Sequence, residues 1–437
     1  MLTNGLDVHP KFRPFRVRIV FVHSGIEFDG HSLRERPLGG TETALIGVTR
    51  ELARLAGNEV CVFANTPRQA IFDGVAYYPL GQLSAWGARH AIDVLISIRQ
   101  WMPFWLNLNA QLRIYFSPDG YDQPFLRRAF EVTIAVDGQP VAIPVFAPAY
   151  FMPAVDRIFC VGRWQADTLV DHLGFPPEKI VVTGNAIFPE NFQPRTHGER
   201  EPGLVYSSTP FRGLNHLSAY FPEIRRRFNA AKLVICSGMG IYGLSPEEDE
   251  RQFGGLYRAL AAQGAELHGS VRQQALAEIM CRNLVFAYPN TFAETFCISV
   301  LEAQAAGMAV VTSRRAALAE RITHGVDGFL IDGEPSGDEY RAAFIDTVEM
   351  LLTQPDVWQR VSDEALATAR RQTYERLAVS WQEHFVADLA QNAAPRAPIV
   401  VPDGIRIPHP RDPSDSIELD PAMLANLLRV GSARYSE

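Results

Sequence analysis

Glu294 and Glu302 stand seven residues apart in the stretch 288–313, which reads as strand, polar loop, short helix, strand. Glu294 falls in the loop after the apolar run Leu284–Tyr288, and Glu302 about two turns into the predicted helix. A carboxylate accepts two hydrogen bonds at once, which suits the vicinal hydroxyls of a ribose. The unpaired N–H groups at a helix start suit an anion such as phosphate. Thr295 or Ser299 is expected to cap this helix, and Gly307 to end it before the β-branched run Val310–Thr312. A carboxylate among Ala303, Ala305 and Ala306 is costly to bury alone, so Glu302 either faces a cleft or has a partner. The spacing by itself fits a solvated helix carboxylate and an unrelated loop carboxylate at least as well.

Three further segments carry chemistry. Gly39 and Gly40 precede a helix, where a chain without Cβ atoms lets backbone amides approach a ligand; a plain turn is the alternative. Asp119 lies in the turn-like run Ser117–Asp122, where a turn-forming aspartate is the simpler reading. Residues 238–243, Gly-Met-Gly-Ile-Tyr-Gly, match G-x-G-x-x-G literally. A dinucleotide fingerprint opens a helix directly, whereas here Ser245-Pro246-Glu247-Glu248 marks the helix start, which argues against a nicotinamide cofactor.

The elements that must position these residues alternate in type. Val17–His23, Asn58–Ala64, Ile92–Ile98, Leu112–Phe116 and Asp156–Val161 read as strands, with an apolar helical face at Leu45, Val48, Leu52 and Leu55. Gly203–Ser207, Lys232–Cys236 and Leu284–Tyr288 repeat the pattern after a polar stretch at 191–202. The expected fold class is α/β, with two doubly wound, Rossmann-like parallel-sheet domains facing a central cleft. The expected bounds are 1–195 for the first domain, 196–374 for the second, 375–393 for a helix crossing back to the first, and 394–437 for a Pro-rich extended tail. Asp420-Pro421 could start one last short helix.

Bulk properties narrow the class. The 437 residues carry 47% hydrophobic and 21% charged residues and a net charge of −8, an ordinary globular composition unsuited to general nucleic-acid binding. The five cysteines, 61, 160, 236, 281 and 297, are scattered and odd in number, which fits reduced buried thiols and a cytoplasmic location better than a disulfide framework. No metal-binding spacing occurs, and no run of apolar residues is long enough to span a membrane. The basic runs 225–227 and 314–315 read first as solvated faces and second as peripheral contacts to an anionic membrane.

The segment Glu294–Gly307 resembles the E-x7-E motif of the family-4 glycosyltransferases, which have the GT-B fold and retain anomeric configuration. The resemblance covers roughly 17–390 and is strongest over 203–335. It implies that Glu302 binds the nucleotide ribose, that Glu294 lies at the donor sugar, and that the loop amides of Thr295, Phe296, Cys297 and Ile298 hold the diphosphate. Cys297 stands where the family often has Gly. Gly39, Gly40 and Glu42 match the family's N-terminal glycine loop, and Asp119 takes the place of its polar residue near the reacting sugar. In the run Ser207–Gly213 the family has two cations on the diphosphate. Arg212 matches one, and Ser207 departs from the other, with Arg272 a candidate to compensate. Val271 and Arg272 correspond to the base-binding loop.

The resemblance therefore implies a retaining glycosyltransferase of hexosyltransferase type that moves a sugar from a UDP- or GDP-sugar to a carbohydrate or glycolipid hydroxyl, in cell-surface polysaccharide or glycolipid assembly. Neither a cofactor nor a metal is expected. The Ser207 departure leaves a second expectation open, a catalytically weak or inactive GT-B protein that binds nucleotide-sugars as a scaffold.

Overall fold

The computed structural model describes residues 17–104, 106, 108–123, 131–136, 139–144, 152–391, 405–409 and 412–419. The first sheet contains β1 (Val17–His23), β2 (Asn58–Ala64), β3 (Ala70–Phe72), β4 (Val75–Pro79), β5 (Ile92–Ile98) and β6 (Ala110–Ser117). After the separate hairpin β7 (Glu131–Val136) and β8 (Gln139–Pro144), β9 (Arg157–Cys160) and β10 (Ile180–Val182) complete it in the order β10-β9-β6-β5-β1-β2-β4-β3. All pairs are parallel except β3 with β4. Its helices are α1 (Ser32–Glu35), α2 (Gly40–Arg54), α3 (Leu83–Gly87) and α4 (Arg163–Leu173). The central strands β1 and β5 are largely apolar and buried along most of their length, as a parallel sheet covered on both faces requires.

The second sheet is fully parallel, in the order β13-β12-β11-β14-β15-β16. Its strands are β11 (Glu201–Ser207), β12 (Lys232–Cys236), β13 (Glu266–Leu267), β14 (Asn283–Tyr288), β15 (Ala309–Ser313) and β16 (Phe329–Ile331). The helices are α5 (Leu214–Arg227), α6 (Pro246–Ala262), α7 (Gln273–Arg282), α8 (Ile298–Ala305), α9 (Leu318–Arg321), α10 (Asp338–Thr353) and α11 (Pro355–Arg370). Ser245 caps α6 through a capping box with Glu248, and residues 240–242 form only a 3-10 turn, so the literal G-x-G-x-x-G does not open a helix.

Two crossings join the domains, and they pair with each other: Ile187 N–H donates to the Gln372 carbonyl at 3.1 Å, and Tyr374 N–H to the Ile187 carbonyl at 3.2 Å. Helix α12 (Tyr374–Gln391) then packs on the first domain. Its Trp381 stacks near Phe21 and meets Phe116 and Phe159 edge-on, and its Asp388 accepts from Arg157 at 2.6 Å. Within the stretch expected to be an extended tail, β17 (Ile405–His409) and β18 (Asp412–Leu419) instead form an antiparallel hairpin. Pro408 lies in a two-stranded sheet, where a strand has a free edge that tolerates a missing donor. Asp420 and Pro421 lie outside the described residues. All five cysteines are buried free thiols. No helix among the described residues is long and apolar enough to cross a membrane.

Candidate functional site

The loop after β14 and the start of α8 build the centre of the site. Glu294 is buried, and Oε1 accepts from Arg212 Nη1 at 2.9 Å and from the Tyr288 hydroxyl at 2.6 Å. Arg212 lies at the end of a 3-10 turn, Pro210–Arg212, after β11. Its Nη2 donates to the Tyr242 hydroxyl at 2.9 Å, and its guanidinium carbon sits 4.1 Å above the Phe292 ring. Burial alone would disfavour the charge, but Glu294 together with Tyr242, Tyr288 and Cys297 outweighs it and holds the Arg212 guanidinium above its ordinary value. An arginine held by a carboxylate, a phenol and an aromatic face is preorganised to meet phosphate oxygens.

Gly213 explains how the turn reaches this point. Its φ is 117°, and a Cβ there would run into the Pro289 carbonyl oxygen. Gly213→Ala is expected to cost at least about 3 kcal/mol, because it combines left-handed strain with a backbone clash. Chemical denaturation of the purified variant measures that loss.

Helix α8 starts without a side-chain cap. Thr295 and Ser299 do not cap it: Thr295 Oγ1 donates at 2.7 Å to the Pro118 carbonyl in the first domain, and the cap position is Cys297. The first N–H groups of α8 therefore receive no side-chain oxygen at its cap, the state an anion-binding helix start requires. Cys297 holds φ 68°, the left-handed region in which Gly is at ease, which gives a physical reason for Gly at this place. Cys297→Gly is expected to remain within about 1 kcal/mol of the parent, whereas Cys297→Val should lose at least about 2 kcal/mol from the β-branched strain. Urea melts of both variants check this.

Glu302 lies on α8, buried, with one hydrogen bond from Gln273 Nε2 at 3.2 Å. Burial pushes its carboxyl up to about 7, only partly offset by Gln273. Gln273 also lines a cavity of about 160 Å³ between the domains, with Arg34, Arg50, Phe188, Asn191 and Arg272. A carboxylate this deep, with spare acceptor capacity beside an interdomain cavity, is unexplained by packing alone.

From the first domain, Gly39 and Gly40 bring the start of α2 against the second. A Cβ on Gly40 would meet Ile298 Cδ1 at 3.2 Å, and one on Gly39 would lie 3.9 Å from the Ile241 carbonyl oxygen. Glu42 Oε1 lies 3.0 Å from His23 Nε2, and both side chains are buried. Burial raises the Glu42 carboxyl, but the His23 hydrogen bond and the charge of Arg99 outweigh it and hold it below the usual carboxylate range.

Other expected site residues are placed differently. Asp119 binds Arg99 through both oxygens, at 2.6 and 2.9 Å, so its carboxylate holds an arginine. The Phe296 ring is buried against the Arg321 guanidinium at 3.8 Å, which leaves its backbone as the part available to a ligand. Arg272 does not replace the missing cation beside Ser207: its Nη1 donates at 3.0 Å to the Arg34 carbonyl, at the cavity near Glu302. Ser207 is buried at the end of β11, and Val271 is half-buried against the core. His23, Arg99, Tyr242 and Tyr288 join the site without having stood out in the sequence. Their only linear signal is position, since His23 ends β1, Arg99 follows β5 and Tyr288 ends β14.

Residues 203–354 match the model of the family described as Glycosyl transferases group 1. The matched residues lie within the second domain. Over 182 residues the chain is 31% identical to sucrose synthase of Acidithiobacillus caldus, a match covering 38% of this chain and 22% of that protein. It is 22% identical to the phosphatidylinositol N-acetylglucosaminyltransferase gpi3 subunit of Schizosaccharomyces pombe, covering 55% of this chain and 50% of the relative. The chain thus spans about half or less of the length of these curated relatives. The structure of HepE from Anabaena, solved in complex with UDP and glucose, superposes with a TM-score of 0.60 at 15% identity, covering 85% of this chain and 100% of HepE. The architecture is GT-B, two parallel-sheet Rossmann-like domains across a cleft.

Proposed function

We propose that this chain is a retaining glycosyltransferase that takes its sugar from a nucleoside diphosphate donor. Glu302 is the observation that carries the reading: a buried carboxylate with a single described hydrogen bond, from Gln273, which lines an interdomain cavity. It would take the ribose hydroxyls, with the base in the cavity lined by Arg272 and Gln273. The diphosphate would lie over the start of α8, between Arg212 and the Gly39-Gly40 amides. Charge developing on the departing phosphate is met there by a fixed guanidinium and oriented N–H groups. Glu294, fixed by Arg212 and Tyr288, would sit at the donor sugar. A UDP-sugar is the favoured donor, since a GT-B neighbour was solved with UDP and glucose, and a carbohydrate or glycolipid hydroxyl is the acceptor. The setting that fits is cytoplasmic assembly of surface polysaccharide or glycolipid.

Calorimetric titration with UDP, GDP and ADP, and with the 2′-deoxy analogue of whichever binds, tests this. One diphosphate should saturate the protein, and its 2′-deoxy form should bind at least about tenfold more weakly, the worth of a hydrogen bond to a charged acceptor. Equal binding of the ribose and deoxyribose forms would remove Glu302 from its role.

A further inference from the structure

We propose that Arg99 supplies the second positive charge for the donor diphosphate, from the first domain, opposite Arg212. The inference rests on the donor reading above. Ser207 leaves one cation absent from the second domain's wall, and Arg272 is turned to the Arg34 carbonyl at the cavity. Arg314 and Arg315 pair with Asp332 and Glu334, and Arg321 is packed behind Phe296.

Arg99 is the cation that the fold brings to the gap. It follows β5, and β5 and β2 flank β1 on opposite sides, so it stands at the crevice where strand order reverses, the place open α/β sheets take ligands. Its φ is 63°, a strained backbone for a residue with a side chain, of the kind concentrated at binding sites. The guanidinium is fixed by Asp119, and Nη2 also donates at 2.9 Å to Thr41 Oγ1, in the first turn of α2. Gly40 of the same turn faces Ile298 at the start of α8. Two helix starts and two arginines therefore border one gap. The Tyr242 phenol occupies it, bonded to Arg212 and within electrostatic reach of Arg99. A diphosphate replacing that phenol oxygen would meet both guanidiniums. Asp119 and Glu42 balance the charge of Arg99.

Titration of the full chain with uridine, UMP and UDP, and with the guanosine and adenosine series, decides the matter. The double variant Arg99→Gln, Asp119→Asn keeps neutral hydrogen bonding and strands no charge. It should lose at least about tenfold in affinity for the diphosphate, with the nucleoside changed by less than about threefold. Arg272→Gln should keep the wild-type ratio of diphosphate to monophosphate affinity. Arg99→Lys, which leaves the charge opposite Asp119, should retain part of that ratio and serves where the double variant fails to fold. An unchanged ratio in the Arg99 variants, with Arg212→Gln weakened, would overturn the role of Arg99 alone. Saturation of the wild type by none of the diphosphates would overturn the donor reading and this inference together.

Discussion

Glu302→Gln is expected to make the ligand-free protein more stable at pH 8 while removing its grip on nucleotide. The folded carboxyl titrates near 7, above its ordinary value of 4.5. Between those values the folded state holds a proton that the unfolded chain has lost. The stability this contributes is complete below the unfolded value and is lost as pH rises through 7. Above pH 7 the buried charge costs up to about 3 kcal/mol relative to a neutral group. Glutamine removes the charge and can still meet Gln273. Thermal melts should therefore show the variant above the parent at pH 8 and level with it at pH 4.5. Nucleoside diphosphate affinity should fall at least about tenfold, because an ionised acceptor for two hydroxyls becomes a weaker neutral one. In the parent the same affinity should weaken as pH drops below 7. A variant destabilised at pH 8, or one that binds nucleotide as well as the parent, would show that Glu302 is held by contacts internal to the protein.

Arg212→Ala is expected to abolish turnover and to destabilise the fold. Removing one member of a buried ion pair leaves the other uncompensated, a loss of about 3–5 kcal/mol. Glu294 is that member, and the Tyr288 hydroxyl is its other described hydrogen-bond donor. Adding Glu294→Gln should restore much of the stability and none of the activity, since the donor phosphate would still lack its guanidinium. The expected rate loss is on the order of a hundredfold or more, as for removal of a donor aimed at developing charge. Denaturant melts and donor-turnover rates for the two single variants and the double variant separate the structural effect from the chemical one.

Much of the framework is legible in linear order because parallel strands announce themselves as apolar runs. β1, β2, β5 and β12 fall on the residues expected from sequence, and Ser245 and Gly307 mark helix ends by local backbone chemistry that needs no tertiary information. Helices α10 and α11 have no comparable signal. Their apolar faces pack against other helices and on strands of the second sheet, and they carry none of the candidate site residues. In the site, Glu294, Glu302 and Arg212 can be found because they lie in loops and helix starts with recognisable spacing. The pairing of Arg99 with Asp119 cannot, because it joins the ends of β5 and β6 only once the sheet has formed. The cap of α8 escapes local reasoning for a related cause. Thr295 is a good capping residue by type, but its hydroxyl is taken by the Pro118 carbonyl of the other domain.

Donor turnover is the most direct test. The purified chain would be incubated with UDP-glucose, UDP-N-acetylglucosamine, UDP-galactose and GDP-mannose, with and without glycolipid and oligosaccharide acceptors. Nucleoside diphosphate release would be followed together with the anomeric proton of the product by NMR. One donor should be consumed, its sugar should keep the anomeric configuration it had in the donor, and Arg212→Ala should stop the release. Saturable binding of a nucleoside diphosphate with no release from any of these donors would contradict the catalytic account and leave a nucleotide-sugar-binding scaffold. An inverted product would contradict the retaining mechanism.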